Sequence, residues 1–340
     1  MILESWSIAL LTCSAVTIIF GVVGAVTALQ VLRFWDIGSD SERQIRLEEQ
    51  IWLAATLVEF GLVVQIISAF IFIYAADYFA TVLTGAMCAA GALSANYYGL
   101  PALGFKLTTI FLGTLWIILH KLDIGSEYFP FTRLKSFGLL VLLPLLAGDA
   151  LLVVLYLVNL EPEIITSCCG IIFGGEVTGG YSLFDYSSST TILFLLAVST
   201  VLLLAGSVFQ LRVKSVSRTP LVLVGWLLTV GWVVFYLLAL VVITVLVSPY
   251  VYALPHHRCP FDLLQYPYVI IGLPLYLFLH GAVISGLGAA MASMVSWLND
   301  AGGLVDQFIR RAALLNIILT LLFLLVAGWQ PFIYIVLGGQ

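Results

Sequence analysis

Residues 81–95 read TVLTGAMCAAGALSA: an apolar stretch, short and rich in small residues, closed off by Asn96 and Pro101. Its reading decides the topology, because if it crosses a membrane every later loop changes sides. Around it lie eight longer apolar segments, predicted at about 6–32, 50–75, 102–120, 136–159, 189–211, 220–247, 266–294 and 312–336. Basic residues arbitrate. Arg33, Arg43 and Arg46 follow the first segment, Lys121, Arg133 and Lys135 the third, and Arg212, Lys214 and Arg218 the fifth, while Arg310 and Arg311 precede the eighth; the intervening loops hold only Arg258. Counting 81–95 as a ninth span would put Lys121 through Arg218 on the opposite side from the first loop's arginines. Basic residues near helix ends are retained in the cytoplasm. The stretch therefore reads as a re-entrant or interfacial half-helix, packed inside the bundle because irregular backbone at membrane depth needs protein or a water-filled cavity around it.

The predicted fold class is all-α: a polytopic integral membrane helical bundle of about eight transmembrane helices plus one short re-entrant or interfacial helix. Composition agrees. The chain is 62% hydrophobic and 9% charged with a mean hydropathy of +1.15, against a charged fraction of roughly 25% in soluble domains. Eight spans and their connections absorb the 340 residues, so residues 1–340 are expected to form a single transmembrane domain with no separate soluble catalytic domain. The net charge of −5 comes with no basic stripe, which excludes nucleic acid as a partner. The first segment is longer than a signal peptide's apolar core and has no basic residues before it, so it is expected to stay as a helix. No lipidation motif is evident, and no repeat of fixed period or similarity between the halves is visible.

By the charge pattern both termini, and the loops carrying the cysteines and histidines, face outward from a cell inner (cytoplasmic) membrane. The outer loops are distinctive. Residues 160–187 carry Glu161, Glu163, Glu176 and Asp185, no basic residue and a Gly-rich run from Gly170 to Gly180; residues 248–265 carry three prolines and a His-Cys cluster. Cys88 in the half-helix, the vicinal pair Cys168 and Cys169, and Cys259 all fall on this face, where thiols meet an oxidising compartment. They are expected to form one cluster: as one or two disulfides, as a working dithiol, or as ligands of a soft metal together with His256 or His257. Adjacent cysteines bridge each other only through a strained ring, so Cys168 and Cys169 favour distant partners, and such a node suits thiol exchange. Cys13 has no obvious partner.

The segment His256-His257-Arg258-Cys259-Pro260-Phe261-Asp262 is the most motif-like. Proline after Cys259 suits the first turn of a following helix, and a helix N-terminus beside His and Arg favours the thiolate. Over these few residues the chain resembles the Cys-Pro-x-Cys motif of membrane disulfide-generating proteins of the vitamin K epoxide reductase type. The resemblance implies quinone-coupled thiol chemistry at Cys259. Asp262 stands where the second cysteine of that motif would be, so a self-contained dithiol is missing.

Ionisable residues inside predicted spans form a second set: Glu59, Lys106, Asp149 and His280. Such groups are expensive in lipid and face the bundle interior. The third and fourth spans make an antiparallel hairpin about residue 127, so residues whose numbers sum to about 255 lie level, as Lys106 and Asp149 do. They are expected to form a structural ion pair. Glu59 and His280 are read as near mid-membrane, in a proton path or a quinone pocket. Haem b fits poorly because His120, at the inner end of its span, is not level with His280; haem c, zinc-protease and phosphate-loop signatures are absent. The leading expectation is a membrane protein with an extracytoplasmic Cys/His site for redox or metal handling, with quinone or a soft metal as cofactor and further membrane or extracytoplasmic subunits as partners. The rivals are a transporter or permease subunit with structural disulfides, and a non-catalytic anchor subunit.

Overall fold

The computed structural model describes residues 2–36, 41–126, 129–163, 189–212, 218–254, 257–296 and 302–338. Among them the regular structure is helical throughout, with eight helices long and apolar enough to cross a membrane. The chain divides into two compact units, Met1–Thr166 and Ser167–Gln340.

The first unit holds α1 (Ser5–Phe34), α2 (Glu42–Val82), α3 (Ala89–Leu93), α4 (Gly99–Ile124) and α5 (Thr132–Val158). Helix α1 buries a mainly small and polar face and exposes large apolar residues. On α1 the buried residues are Ser7, Leu10, Ser14, Thr17, Gly21, Gly24, Ala25, Ala28 and Val31, whereas Ile19, Val22, Val26 and Leu29 are exposed. Lipid solvates large apolar side chains as well as a protein core does, so helix association in a bilayer selects small residues that let backbones approach. Gly24 shows the requirement: a Cβ there would lie 2.2 Å from Val58 Cγ2 and 2.8 Å from Leu139 Cδ2.

Helix α2 begins earlier and ends later than the predicted 50–75. Ser41 caps it, its Oγ accepting from the Gln44 N–H at 3.3 Å, and the pairs Glu42–Arg46 and Gln44–Glu48 support the first turns. These i,i+4 contacts extend the helix beyond the apolar run. At 41 residues it is about 60 Å long, about twice the hydrocarbon thickness, so part of it must project beyond a bilayer.

The stretch that decides the topology does not span. After Val82 the chain turns, makes the five-residue α3 and enters α4 at Gly99, with every residue of α3 buried. Bonds to α5 and to the residues just after it hold this stretch in place. The Tyr156 hydroxyl donates to the Ala92 carbonyl at 3.1 Å, Asn96 Nδ2 donates to the Tyr156 carbonyl at 3.0 Å, and the Thr84 N–H donates to the Pro162 carbonyl at 3.0 Å. Gly99 is needed because a Cβ there would lie 2.2 Å from the Leu93 carbonyl oxygen.

The second unit holds α6 (Ser189–Arg212), α7 (Arg218–Val242), a π-helical turn (Ile243–Val247), α8 (Ser248–Tyr252), a 3-10 turn (Asp262–Leu264), α9 (Val269–Val295) and α10 (Gly302–Leu337). Helix α7, the π turn and α8 run on as one span, Leu221–Tyr252. The Ser248 hydroxyl donates to the Ile243 carbonyl at 2.8 Å, a side-chain bond with the i→i−5 spacing of the π turn. Helix α9 is buried continuously from Ser285 to Ala290, nearly all small residues. There the backbones close up: a Cβ on Gly286 would meet Trp232 Cε2 at 2.4 Å, and one on Gly225 the Ala290 carbonyl oxygen at 2.8 Å. Polar side chains bridge the helices. Ser207 donates to Asn316 Oδ1 at 2.9 Å, Asn316 Nδ2 to the Ala282 carbonyl at 2.7 Å, and Gln210 Nε2 to Ser293 Oγ at 3.0 Å.

One local expectation fails. No long helix follows Cys259 directly: Pro260 lies in a bend, the single 3-10 turn at Asp262–Leu264 comes next, and α9 starts only at Val269. Cys259 therefore gains no helix N-terminus to favour its thiolate.

Candidate functional site

The loop between α8 and α9 gathers the chemistry of the second unit. Cys259 Sγ donates to Asp262 Oδ1 at 3.2 Å, and His257 Nε2 lies 2.7 Å from Asp262 Oδ2. Asp262 occupies the position that the Cys-Pro-x-Cys resemblance reserves for a second cysteine. It links thiol and imidazole through its two oxygens.

Tyrosines from the flanking helices fix the loop's backbone. The Tyr252 hydroxyl donates to the Cys259 carbonyl at 2.7 Å and the Tyr276 hydroxyl to the Pro260 carbonyl at 2.7 Å. The Tyr252 ring also meets the His257 and Tyr268 rings edge-on, each at 4.7 Å between centroids. Access is graded. Cys259 is fully buried, while the Asp262 side chain is 15% and the His257 side chain 34% exposed. Thiolate, carboxylate and imidazole together are the donor set of zinc and related soft or borderline metals. Cys168, Cys169 and His256, which the sequence groups with this loop, lie outside the described residues.

His280 stands one turn further along α9 than Tyr276. Its Nδ1 contacts the Tyr276 carbonyl at 2.8 Å and its Nε2 the Tyr236 hydroxyl at 3.1 Å. A carbonyl only accepts, so Nδ1 carries the proton and Nε2 accepts from the tyrosine. Both ring nitrogens are thus engaged within the second unit.

In the first unit Lys106 and Asp149 are joined at 3.1 Å with both side chains essentially inaccessible. Gln65 Nε2 donates to Asp149 Oδ2 at 2.7 Å and to Thr109 Oγ1 at 3.0 Å, while Lys106 Nζ donates to Ser68 Oγ at 3.1 Å and lies 5.7 Å from the Phe72 ring centroid. Glu59 is elsewhere. Its carboxylate pairs with Lys121 in the last turn of α4 at 2.7 Å and is 27% exposed, so it sits level with that helix's end rather than in an apolar slot. Cys88 precedes α3 and is buried at 2% exposure; Cys13, on α1, is a free thiol.

A further polar cluster closes the α4–α5 hairpin. Asp123 accepts from the Phe131 N–H at 2.7 Å and the Thr132 hydroxyl at 2.9 Å and pairs with Lys135, all buried. Lys135 Nζ also lies 3.4 Å from His120 Nδ1, whose ring stacks on Trp116 at 5.4 Å. The charge pattern uses Lys135 only to fix sidedness and gives Asp123 no role. The signal was present in the numbering: His120 and Lys135, like Lys106 and Asp149, sum to about 255 and so lie level across the hairpin.

No protein-family model, no curated protein and no solved structure matches the chain.

Proposed function

We propose that this multi-pass membrane protein binds a soft divalent or monovalent metal ion at Cys259, Asp262 and His257, on the extracytoplasmic face of a cell membrane. The observation that carries the reading is Asp262 bridging Cys259 Sγ and His257 Nε2 at 3.2 and 2.7 Å. On binding, the thiol gives up its proton, its sulfur and one Asp262 oxygen become ligands, and the imidazole orients the carboxylate or swings in as a third donor. Sequence adds His256, one residue outside the described segment, as a fourth. The sidedness rests on the eleven basic residues that the charge pattern puts in the cytoplasm against Arg258 outside; an even number of spans then puts both termini outside with this loop. The same pattern assigns the loops of Cys88, Cys168 and Cys169 to that face, where they supply thiols for metal transfer or disulfide exchange to a partner subunit.

The test is metal content and affinity of the purified full-length protein, with Zn(II) and Cu(I) as probes. Stoichiometric metal is expected, lost in Cys259→Ser and Asp262→Asn and weakened about 10- to 100-fold in His257→Ala. Wild-type protein that takes up no metal, or Cys259→Ser protein that keeps it, sinks the reading and leaves the anchor-subunit alternative.

A further inference from the structure

The Asp149 carboxylate is satisfied on one side only. Oδ2 receives both Lys106 Nζ and Gln65 Nε2, whereas Oδ1 is buried and has no hydrogen-bond partner among the described residues. Ser14 Oγ on α1 is buried and unpartnered in the same way. Helix α1 packs on both α2 and α5, and the Thr17 hydroxyl meets the Gly61 carbonyl of antiparallel α2 at 3.2 Å. That register sets Ser14 roughly level with Gln65. Two orphaned oxygens therefore fall at one depth on helices that touch, and Ser7, two turns from Ser14 on the same buried face, extends the polar line toward the N-terminal end of α1.

The chemistry of the gap selects its ligand. A buried polar atom without a partner is costly and unusual in a folded protein, and inside a bilayer ionisable groups mark ion and proton paths. A carboxylate oxygen accepts only: it takes a proton, a donor hydrogen or a cation. A metal cation is disfavoured because the Lys106 ammonium lies 3.1 Å from the same carboxylate. Among charged and titratable groups the facing helices contribute Lys106 from α4 and, within electrostatic range of Lys106, Cys13 from α1; α2 contributes the neutral Gln65 and Ser68. The cluster is thus a neutral pair with one vacant acceptor.

We propose that Asp149 is the proton-binding group of a proton-translocating path through the first unit, with Lys106 as its exchange partner. The steps balance without any redox change. An incoming proton bonds to a lone pair of Oδ1 and makes the neutral acid, which removes the attraction that held the ammonium. The Nζ–H bond of Lys106 then breaks, its electron pair staying on nitrogen, as the proton passes to the Ser68 hydroxyl oxygen, which accepts from Nζ at 3.1 Å, while the hydroxyl's own proton moves on along the path. Transfer of the acid's proton to the amine restores the pair, so one proton has entered and one has left. The site lies in a different unit from the metal-binding loop and does not depend on it.

The experiment uses full-length protein in liposomes with an entrapped pH dye and a potassium diffusion potential. Wild-type vesicles are expected to acidify faster than protein-free ones, and Asp149→Asn to lose about 100-fold or fall to background, the typical cost of removing a proton-transfer group. Because that variant leaves Lys106 unpaired, the double variant Asp149→Asn with Lys106→Met, which removes both charges, is measured beside it and is also expected at background. The wild-type protein gives a reading free of folding effects: a membrane-soluble carbodiimide, which attacks protonated buried carboxyl groups, should label Asp149 and stop the flux. Wild-type flux at the protein-free background overturns the proposal. So does a folded double variant that conducts within about twofold of wild type, or full flux after carbodiimide modification of Asp149.

Discussion

The Tyr276 hydroxyl donates to the main-chain carbonyl of Pro260 across 2.7 Å, tying the loop that carries Cys259 to the second turn of α9. Together with Tyr252, which holds the Cys259 carbonyl, it keeps a fully buried thiol in a loop with little regular structure of its own. Tyr276→Phe removes one hydrogen bond from the half-buried Pro260 carbonyl, a loss of about 1 kcal/mol. The expected outcome is a loop that opens more often, read as faster maleimide modification of Cys259 in folded protein. An unchanged modification rate would show that the tyrosine does not hold the loop.

The buried pair in the first unit should behave as one object. Asp149→Asn is expected to destabilise the fold by about 3–5 kcal/mol, because it strands the Lys106 ammonium away from water. Adding Lys106→Met should recover part of that loss. Thermal unfolding of the four proteins in one detergent checks this, and simple additivity of the two substitutions would contradict the coupling.

Packing at Gly24 leaves no room for a side chain. Gly24→Val places its Cβ inside the contact distances to Val58 and Leu139 and should force α1 away from α2 and α5, at a cost of about 1–3 kcal/mol or more. Gly104, where a Cβ meets nothing within 4 Å, is the control: Gly104→Ala should be neutral or slightly stabilising. Equal melting temperatures for the two variants would refute the account of the helix contact.

Sidedness is open to direct chemistry. In protein otherwise free of cysteine, Tyr97→Cys, at a position 95% exposed beside the short helix α3, should react with an impermeant maleimide added to intact cells. Ser126→Cys, in the α4–α5 turn, should react only after permeabilisation. The reverse pattern would invert the topology and place the Cys259 loop in the cytoplasm.

How much of this was legible in the sequence follows from which forces are local. Span number and the non-spanning character of residues 81–95 follow from hydropathy and from the distribution of basic residues, neither of which needs a fold. The level placement of Lys106 and Asp149 needed only one hairpin and a constant helical rise, and the structure has them 3.1 Å apart. The same rule would have found His120 and Lys135 had it been applied to the loop end of the hairpin. Helix ends were less readable: the N-terminal extension of α2 depends on the Ser41 cap, the Glu42–Arg46 pair and the Gln44–Glu48 bond, not on apolar residues.

What only the tertiary structure decided is which face each helix turns inward. Lipid and protein core are both apolar, so a membrane helix carries little amphipathic signal about its rotation, and small-residue contacts such as Gly24 on Val58 and Gly286 on Trp232 set it instead. That rotation gives Glu59 to Lys121, leaves Asp149 Oδ1 without a donor among the described residues and encloses Asp123. The Cys259 loop is a further case. Its sequence offered a proline that suits a helix start, but the Tyr252 and Tyr276 hydroxyls claim the loop's carbonyls, and Asp262 turns toward the thiol and the imidazole. Charge and hydropathy are properties of the chain, legible residue by residue; orientation and partnership arise only when helices touch.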